Sequence, residues 1–167
     1  MNIRLPARLL LVAAFSLSGC RDKGTPPSTQ PRSAYPIAID AAEVGKYPAL
    51  SKSGGGYFYD DVLEYRVWVH PKGGGDDSYS AFSTFEQALA FFNQTEGAEL
   101  PLVLVRQSEW INEPKPGEFV HQKGQRSTEW QVEWLKDSKR RPDSIDRFIA
   151  KRRSGISSAA TSKASIL

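Results

Sequence analysis

The stretch VLEYRVWVH, residues 62–70, decides the fold. Leu63, Tyr65, Val67 and Val69 alternate in it with Glu64, Arg66, Trp68 and His70. A period of two puts the first set on one face of a strand and the second on the other. Pro71 ends the run, and KGGGDDS (72–78) reads as a mobile loop. The period then changes. Ser83-Thr84-Phe85-Glu86 has the form of a capping box, and Phe85, Ala88, Leu89 and Phe92 follow at helical spacing until Gly97. A stripe on one side of a helix is expected to pack on a sheet.

Working outward, PLVLVRQ (101–107) reads as a second strand, EPKPGE (113–118) as a turn, and residues 119–122 as a short third strand. Gly124 turns the chain into residues 128–135, where Trp130, Val132 and Trp134 alternate with Glu129, Gln131 and Glu133 as a fourth strand. The expected fold is α+β: a small antiparallel sheet of about four strands with one main helix packed on one face. This domain covers residues 57–149. Upstream, Ile37, Ile39, Val44, Tyr47 and Leu50 are candidates for packing on it, and Asp40 with Glu43 resembles a helix start. Downstream, Asp143 is expected to cap a short helix ending at Ile149, with residues 150–167 a disordered basic tail.

The amino-terminal end reads differently. Arg4 and Arg8 precede an apolar run, residues 9–17, and then Leu17-Ser18-Gly19-Cys20. Charge, apolar run and small residues in that order mark a secretion signal, residues 1–19. The run is too short for a membrane span, which takes roughly 20 residues. Leu-Ser-Gly-Cys resembles the bacterial lipobox, which implies cleavage before Cys20 and acylation of its thiol and new amino terminus. Stable attachment needs more than one acyl chain. Residues 20–56 would then be the lipidated cysteine and its tether. Within it, residues 21–33 are rich in Pro, Ser and Thr and extend roughly 20 Å as a coil. Arg21 stands where an aspartate marks retention in the inner membrane of enteric bacteria. The expected place is the outer membrane, facing the periplasm, with membrane lipid as the partner of Cys20.

Composition excludes several functions. Cys20 is the single cysteine, so disulfides, a thiol nucleophile and thiolate metal sites are excluded elsewhere. Charge is divided: residues 137–167 carry eight Lys or Arg against three Asp, whereas residues 20–136 carry twelve bases against sixteen acids. A basic end can meet anionic lipid or polymer. Nucleic acid is not an expected partner outside the cytoplasm.

Catalytic patterns are few. Asp60, Asp61 and Glu64, and separately Asp76 and Asp77, lack the alternating oxygen spacing of a calcium loop, and no metal is expected. His70 and His121 have no third partner in the sequence, and no serine occupies a Gly-x-Ser-x-Gly elbow. The candidate site is instead a recognition surface: the strand face with Glu64, Arg66, Trp68 and His70, an aromatic among charges. Glu129, Gln131 and Glu133 are its expected neighbours.

GGGYFYDDVLEYRVWVHP (54–71), AFSTFEQALAFFNQTEGAELPLVLV (81–105) and EPKPGEFVHQKGQRSTEWQVEWL (113–135) together resemble a family of small bacterial proteins catalogued as relatives of the GNAT N-acetyltransferases. The similarity covers about residues 54 to 149. It implies an acyltransferase as the alternative function. That superfamily holds a pyrophosphate at a glycine-containing helix start. Gln122 to Arg126 precede a strand-like segment, and Gly73 to Gly75 lie well before the helix, so no catalytic residue is carried over and no cofactor is expected. The reading from the residues is a membrane-anchored, non-enzymatic module that binds an envelope protein or polymer, an immunity or inhibitor role among its forms.

Overall fold

The computed structural model describes residues 33–49, 52–53 and 55–164. The signal segment, Cys20 and residues 21–32 of the tether lie outside the described residues. The fold is α+β, as its sequence pattern implies. Strand β1 (Lys52–Ser53) is followed by β2 (Asp61–Val69), β3 (Ser78–Phe82), helix α1 (Phe85–Gln94), β4 (Leu102–Lys115), β5 (Glu118–Gln131), a 3-10 turn (Val132–Leu135) and helix α2 (Ser144–Ala164). The strand order is β1-β5-β4-β2-β3. Four strands are antiparallel, and the two-residue β1 adds a parallel edge on β5 at Thr128 and Glu129.

Strand β2 is where the alternation places it, with one change. A bulge between Val62 and Glu64 inserts a residue into the ladder with β4. Val62 therefore joins Tyr65 and Val67 in the core under α1, while Leu63 is buried outside that cluster. Val103, Val105, Trp130, Val132 and Leu135 complete this core. Helix α1 seals it with fully buried Ala88 and with Phe85, Phe91 and Phe92 at its margin. Its N-cap is Thr84, whose Oγ1 accepts from Gln87 N at 3.2 Å, one residue later than the capping-box pattern places it.

Strand β3 begins at the last residue of the expected loop, Ser78, and runs through residues 79–82, to which the sequence pattern assigned no element. SYSAF pairs with β2 from Val69↔Ser78 to Tyr65↔Phe82. Likewise the turn at 113–118 and the third strand merge into one long hairpin, β4 with β5, whose ladder runs from Leu102↔Gln131 to Lys115↔Glu118. The fourth strand ends early. Gln131 is its last residue, and Val132–Leu135 coil into the 3-10 turn.

Polar side chains hold the far half of the hairpin to the incoming chain. Asp60 accepts from Ser108 N at 2.6 Å, Ser108 Oγ at 2.7 Å and Arg140 Nε at 2.5 Å. Buried Gln107 donates to Phe58 O and accepts from Arg126 Nε at 2.7 Å. A second small core of Phe58, Ile111 and Ile145, flanked by Tyr57, Phe119, Phe148 and Ile149, seats the first turns of α2. This packing explains why Asp143 and its neighbours start a helix. That helix continues through Ala164, beyond Ile149 and into the stretch read from sequence as a disordered tail. Helix α2 is polar, and no helix among the described residues is long and apolar enough to cross a membrane.

Residues 33–49 form a strap and contain no helix. Asp40 Oδ1 accepts from Ala42 N at 2.9 Å in a turn, which uses the carboxylate that would have capped one. Tyr35 meets Phe85 edge-on, Ala38 N donates to Ser83 O, and Ile39 N donates to Val62 O. Ala38 is buried, whereas Ile37 and Ile39, the expected anchors, are more than half exposed.

Candidate functional site

The face predicted for recognition is largely closed. Glu64 and Arg66 are completely buried. Arg66 Nε donates to Glu64 Oε1 at 2.6 Å, and Arg66 Nη1 donates to Glu129 Oε1 at 2.7 Å. The strap covers them: Gly45 N donates to Glu64 Oε2 at 2.7 Å, and Pro48 O accepts from Arg66 Nη2 at 3.0 Å. The Arg66 guanidinium also lies over the Tyr79 ring, 4.5 Å from its centroid. Burial by itself would lower the Arg66 pKa, but hydrogen bonds to Glu129 and Glu64 outweigh it and leave the pKa raised. Such a group holds structure together, and it is closed to a partner unless the strap moves.

The other two predicted residues take no part in these ion pairs, although Trp68 shares the Tyr79 ring with Arg66. Trp68 is half-buried against Tyr79, ring centroids 5.0 Å apart. His70 is exposed at the strand end, with Asp77 Oδ1 2.7 Å from Nδ1 and Glu99 Oε1 3.1 Å from Nε2. The carboxylates approach opposite ring nitrogens, so the three do not converge on one point. His121 stands elsewhere, on the hairpin, paired with Glu109 at 2.8 Å. The two histidines are not brought together.

The structure does form a site that periodicity missed. A groove of about 470 Å³ opens between residues 55–57, the β4 positions Asn112 and Glu113, and the turn carrying Trp134, Lys136 and Ser138. Trp130 and Trp134 meet edge-on with centroids 6.3 Å apart, and Trp130 also meets Tyr59 edge-on at 5.8 Å. Trp134 is 47% exposed, and Trp130 is 1% exposed. Trp130 lines the groove, and its buried indole N–H has no hydrogen-bond partner among the described residues. Leaving such a donor unmet costs about 1–3 kcal/mol.

The groove's polar rim is ordered by one acid. Glu113 accepts from Gly117 N at 2.8 Å and from the Tyr57 hydroxyl. The backbone hydrogen bond and then the Tyr57 bond hold the Glu113 pKa below its ordinary value, while the same pairing with Glu113 and then burial raise that of Tyr57. Gly56 shapes the wall because its φ is +88° and an added Cβ would stand 2.8 Å from Arg126, Gln107 and Trp110 atoms. Arg126 in turn stacks over the Trp110 ring at 3.8 Å.

Sequence gave a partial signal for this groove: Trp130 and Trp134 at a spacing of four in TEWQVEWL. Read as a strand, both belong to one buried face. The change to a 3-10 turn after Gln131 brings Trp134 to the surface beside Trp130. The chain matches no protein-family model, no curated protein and no solved structure.

Proposed function

We infer that this protein is a lipid-anchored envelope lipoprotein whose folded domain is a non-enzymatic binding module for an envelope protein or polymer. The half-exposed Trp134 at the mouth of the aromatic groove carries the reading. Ligand sites are concave and mainly apolar, with a few fixed polar groups, and binding energy concentrates on tryptophan and tyrosine. Tyr57, Trp130 and Trp134 provide the apolar part here, and Asn112, Glu113, Lys136 and Ser138 the polar part.

The lipid anchor rests on the sequence Leu17-Ser18-Gly19-Cys20, and acylation there would tether the domain to a membrane. The acyltransferase alternative requires a helix start free to receive a pyrophosphate. At α1 that position is taken by the Thr84 cap, with Glu86 adding negative charge in the first turn.

Two measurements test the proposal. Metabolic labelling with an alkyne palmitate should mark the wild-type chain and be lost in Cys20→Ser. A photo-crosslinking amino acid at position 136, on the groove's rim and with Trp134 left in place, should give in cells one discrete adduct whose mass identifies protein or polymer. Saturable micromolar binding of acetyl-CoA, with no adduct at position 136, would replace this reading by the acyltransferase one.

A further inference from the structure

The basic end of the chain is arranged into a shaped surface. Residues 137–141 and the first turns of α2 enclose a hollow of about 620 Å³ whose wall carries Lys139, Arg141, Arg147 and Lys151. Phe58 and Phe148 form its apolar part, and Asp137 is the acid in its lining. Arg147 and Lys151 are four residues apart on α2 and therefore project from the same side of the helix. Ile145, Phe148 and Ile149 hold that helix in the second core. Residues 139 and 141 are held by a separate device: Arg140 is bound through its side chain to Asp60 and through its N–H to Tyr59 O at 2.7 Å. The cations of the hollow thus project from two fixed backbones.

Their charge is only partly answered. Arg147 pairs with Asp143 at 3.1 Å and Lys139 with Asp61 at 3.4 Å. Among the described residues the side chains of Arg141 and Lys151 have no acidic partner, and both are exposed. Arg152 continues the patch, its guanidinium 5.0 Å above the Phe119 ring and 5.2 Å above that of Phe148. A polar helix that only needed solubility has no cause to gather cations around a hollow with aromatic side chains in its wall.

We propose that this hollow is a docking surface for anionic phospholipid, with headgroup phosphates received by Arg141 and Lys151 and flanked by Lys139 and Arg147. Charge complementarity carries the assignment: a membrane leaflet rich in anionic lipid attracts surface Lys and Arg within a Debye length. The guanidinium of Arg141 matches phosphate with two parallel donors, and Lys151 adds a point charge. The surface acts independently of the acyl anchor. It would orient the domain on the membrane and leave the aromatic groove, which involves other residues, available to a partner.

The test uses the full chain carrying Cys20→Ser, so that no acyl group contributes. Sedimentation is compared for vesicles of phosphatidylcholine alone and of phosphatidylcholine and phosphatidylglycerol in equal parts. The readout is the ratio of the two partition coefficients, which cancels apolar binding common to both. The expected ratio is well above one, falls with added salt, and drops about fivefold for each of Arg141→Gln and Lys151→Gln, about 25-fold for the pair. Lys46→Gln, a cation of the strap paired with Glu43, should leave it unchanged. A parent ratio near one, or a loss below about twofold in the double variant, overturns the proposal. All variants are compared by circular dichroism, and a single substitution that preserves the spectrum suffices for the decision.

Discussion

Arg66 Nε lies 2.6 Å from Glu64 Oε1, and neither side chain has any exposure to solvent. Two residues apart on one strand, they share a face, and Glu129 from β5 completes a triad with two acids and one base. Removing the base leaves two carboxylates facing each other beneath the strap. Arg66→Leu should therefore lower the free energy of unfolding by about 3–5 kcal/mol. Glu64→Gln, Arg66→Met and Glu129→Gln together should recover most of that loss, because no unpaired charge then stays buried. Urea denaturation of the three proteins measures both effects. A loss below about 1 kcal/mol in Arg66→Leu would mean that the triad behaves as an exposed ion pair.

Gly97 ends the α1 connection against the backbone of β2. Its φ is +77°, and an added Cβ would stand 2.5 Å from His70 O, a backbone atom one residue past the end of β2. His70 N also donates to Gly97 O at 2.9 Å, so neither chain can move away freely. Gly97→Ala is expected to cost about 1–3 kcal/mol, and more than Gly74→Ala, which shares the positive φ but meets open space. Thermal melts of the two variants compare clash plus strain with strain alone. Equal losses would show that the close approach contributes nothing.

The parts of the fold that sequence made legible are those governed by neighbours in the chain. Strand β2 followed from alternation and α1 from its stripe, because each period is a local property. SYSAF was passed over because two serines and an alanine carry little strand preference, and only pairing with the exposed edge of β2 extends it. The long hairpin extends past the short strands read at residues 101–107 and 119–122, and polar residues of its ladder such as Gln107 and Arg126 are not left to water. They are satisfied instead by Phe58 O and Gly55 O, groups about fifty and seventy residues upstream. The same limit applied to the recognition face: alternation correctly separated Glu64 and Arg66 from the core under α1, but could not show that Gly45 and Pro48 would return to cover them. For the groove, the strand-to-turn change after Gln131 depends on where Leu135 is buried, which is a tertiary outcome.

The His70 imidazole links the end of β2 to the glycine-rich loop and to the approach of β4. Its hydrogen bond to Asp77, opposed by slight desolvation and aided by the charges of Asp77 and Glu99, raises its pKa above the ordinary histidine value. A raised pKa in the folded state means that the protonated ring is favoured by folding. The stabilisation is complete below the unfolded value of about 6.5 and is lost as pH rises through the raised folded value. Amide exchange in residues 72–77 should therefore accelerate across that interval, after correction for intrinsic base catalysis. His70→Asn should remove the pH step. A histidine resonance titrating at or below the ordinary value would contradict the pairing.

Trp134 and Trp130 separate binding from folding. Trp134 is half exposed and touches the core through its edge-on contact with Trp130, so Trp134→Ala should change stability by about 1 kcal/mol or less. Trp130 is enclosed among Tyr59, Val132 and Leu135, and Trp130→Ala should cost about 3–5 kcal/mol by leaving a large cavity. If the groove binds a partner, Trp134→Ala must reduce affinity for whatever is captured at position 136, because an exposed tryptophan beside a concave site carries a large share of binding energy. Titration of the identified partner into wild type and Trp134→Ala, with melting curves recorded on the same samples, gives both quantities. Unchanged affinity with unchanged stability would make the exposed indole a surface feature without function. A loss of affinity at constant melting temperature would place the partner in the groove.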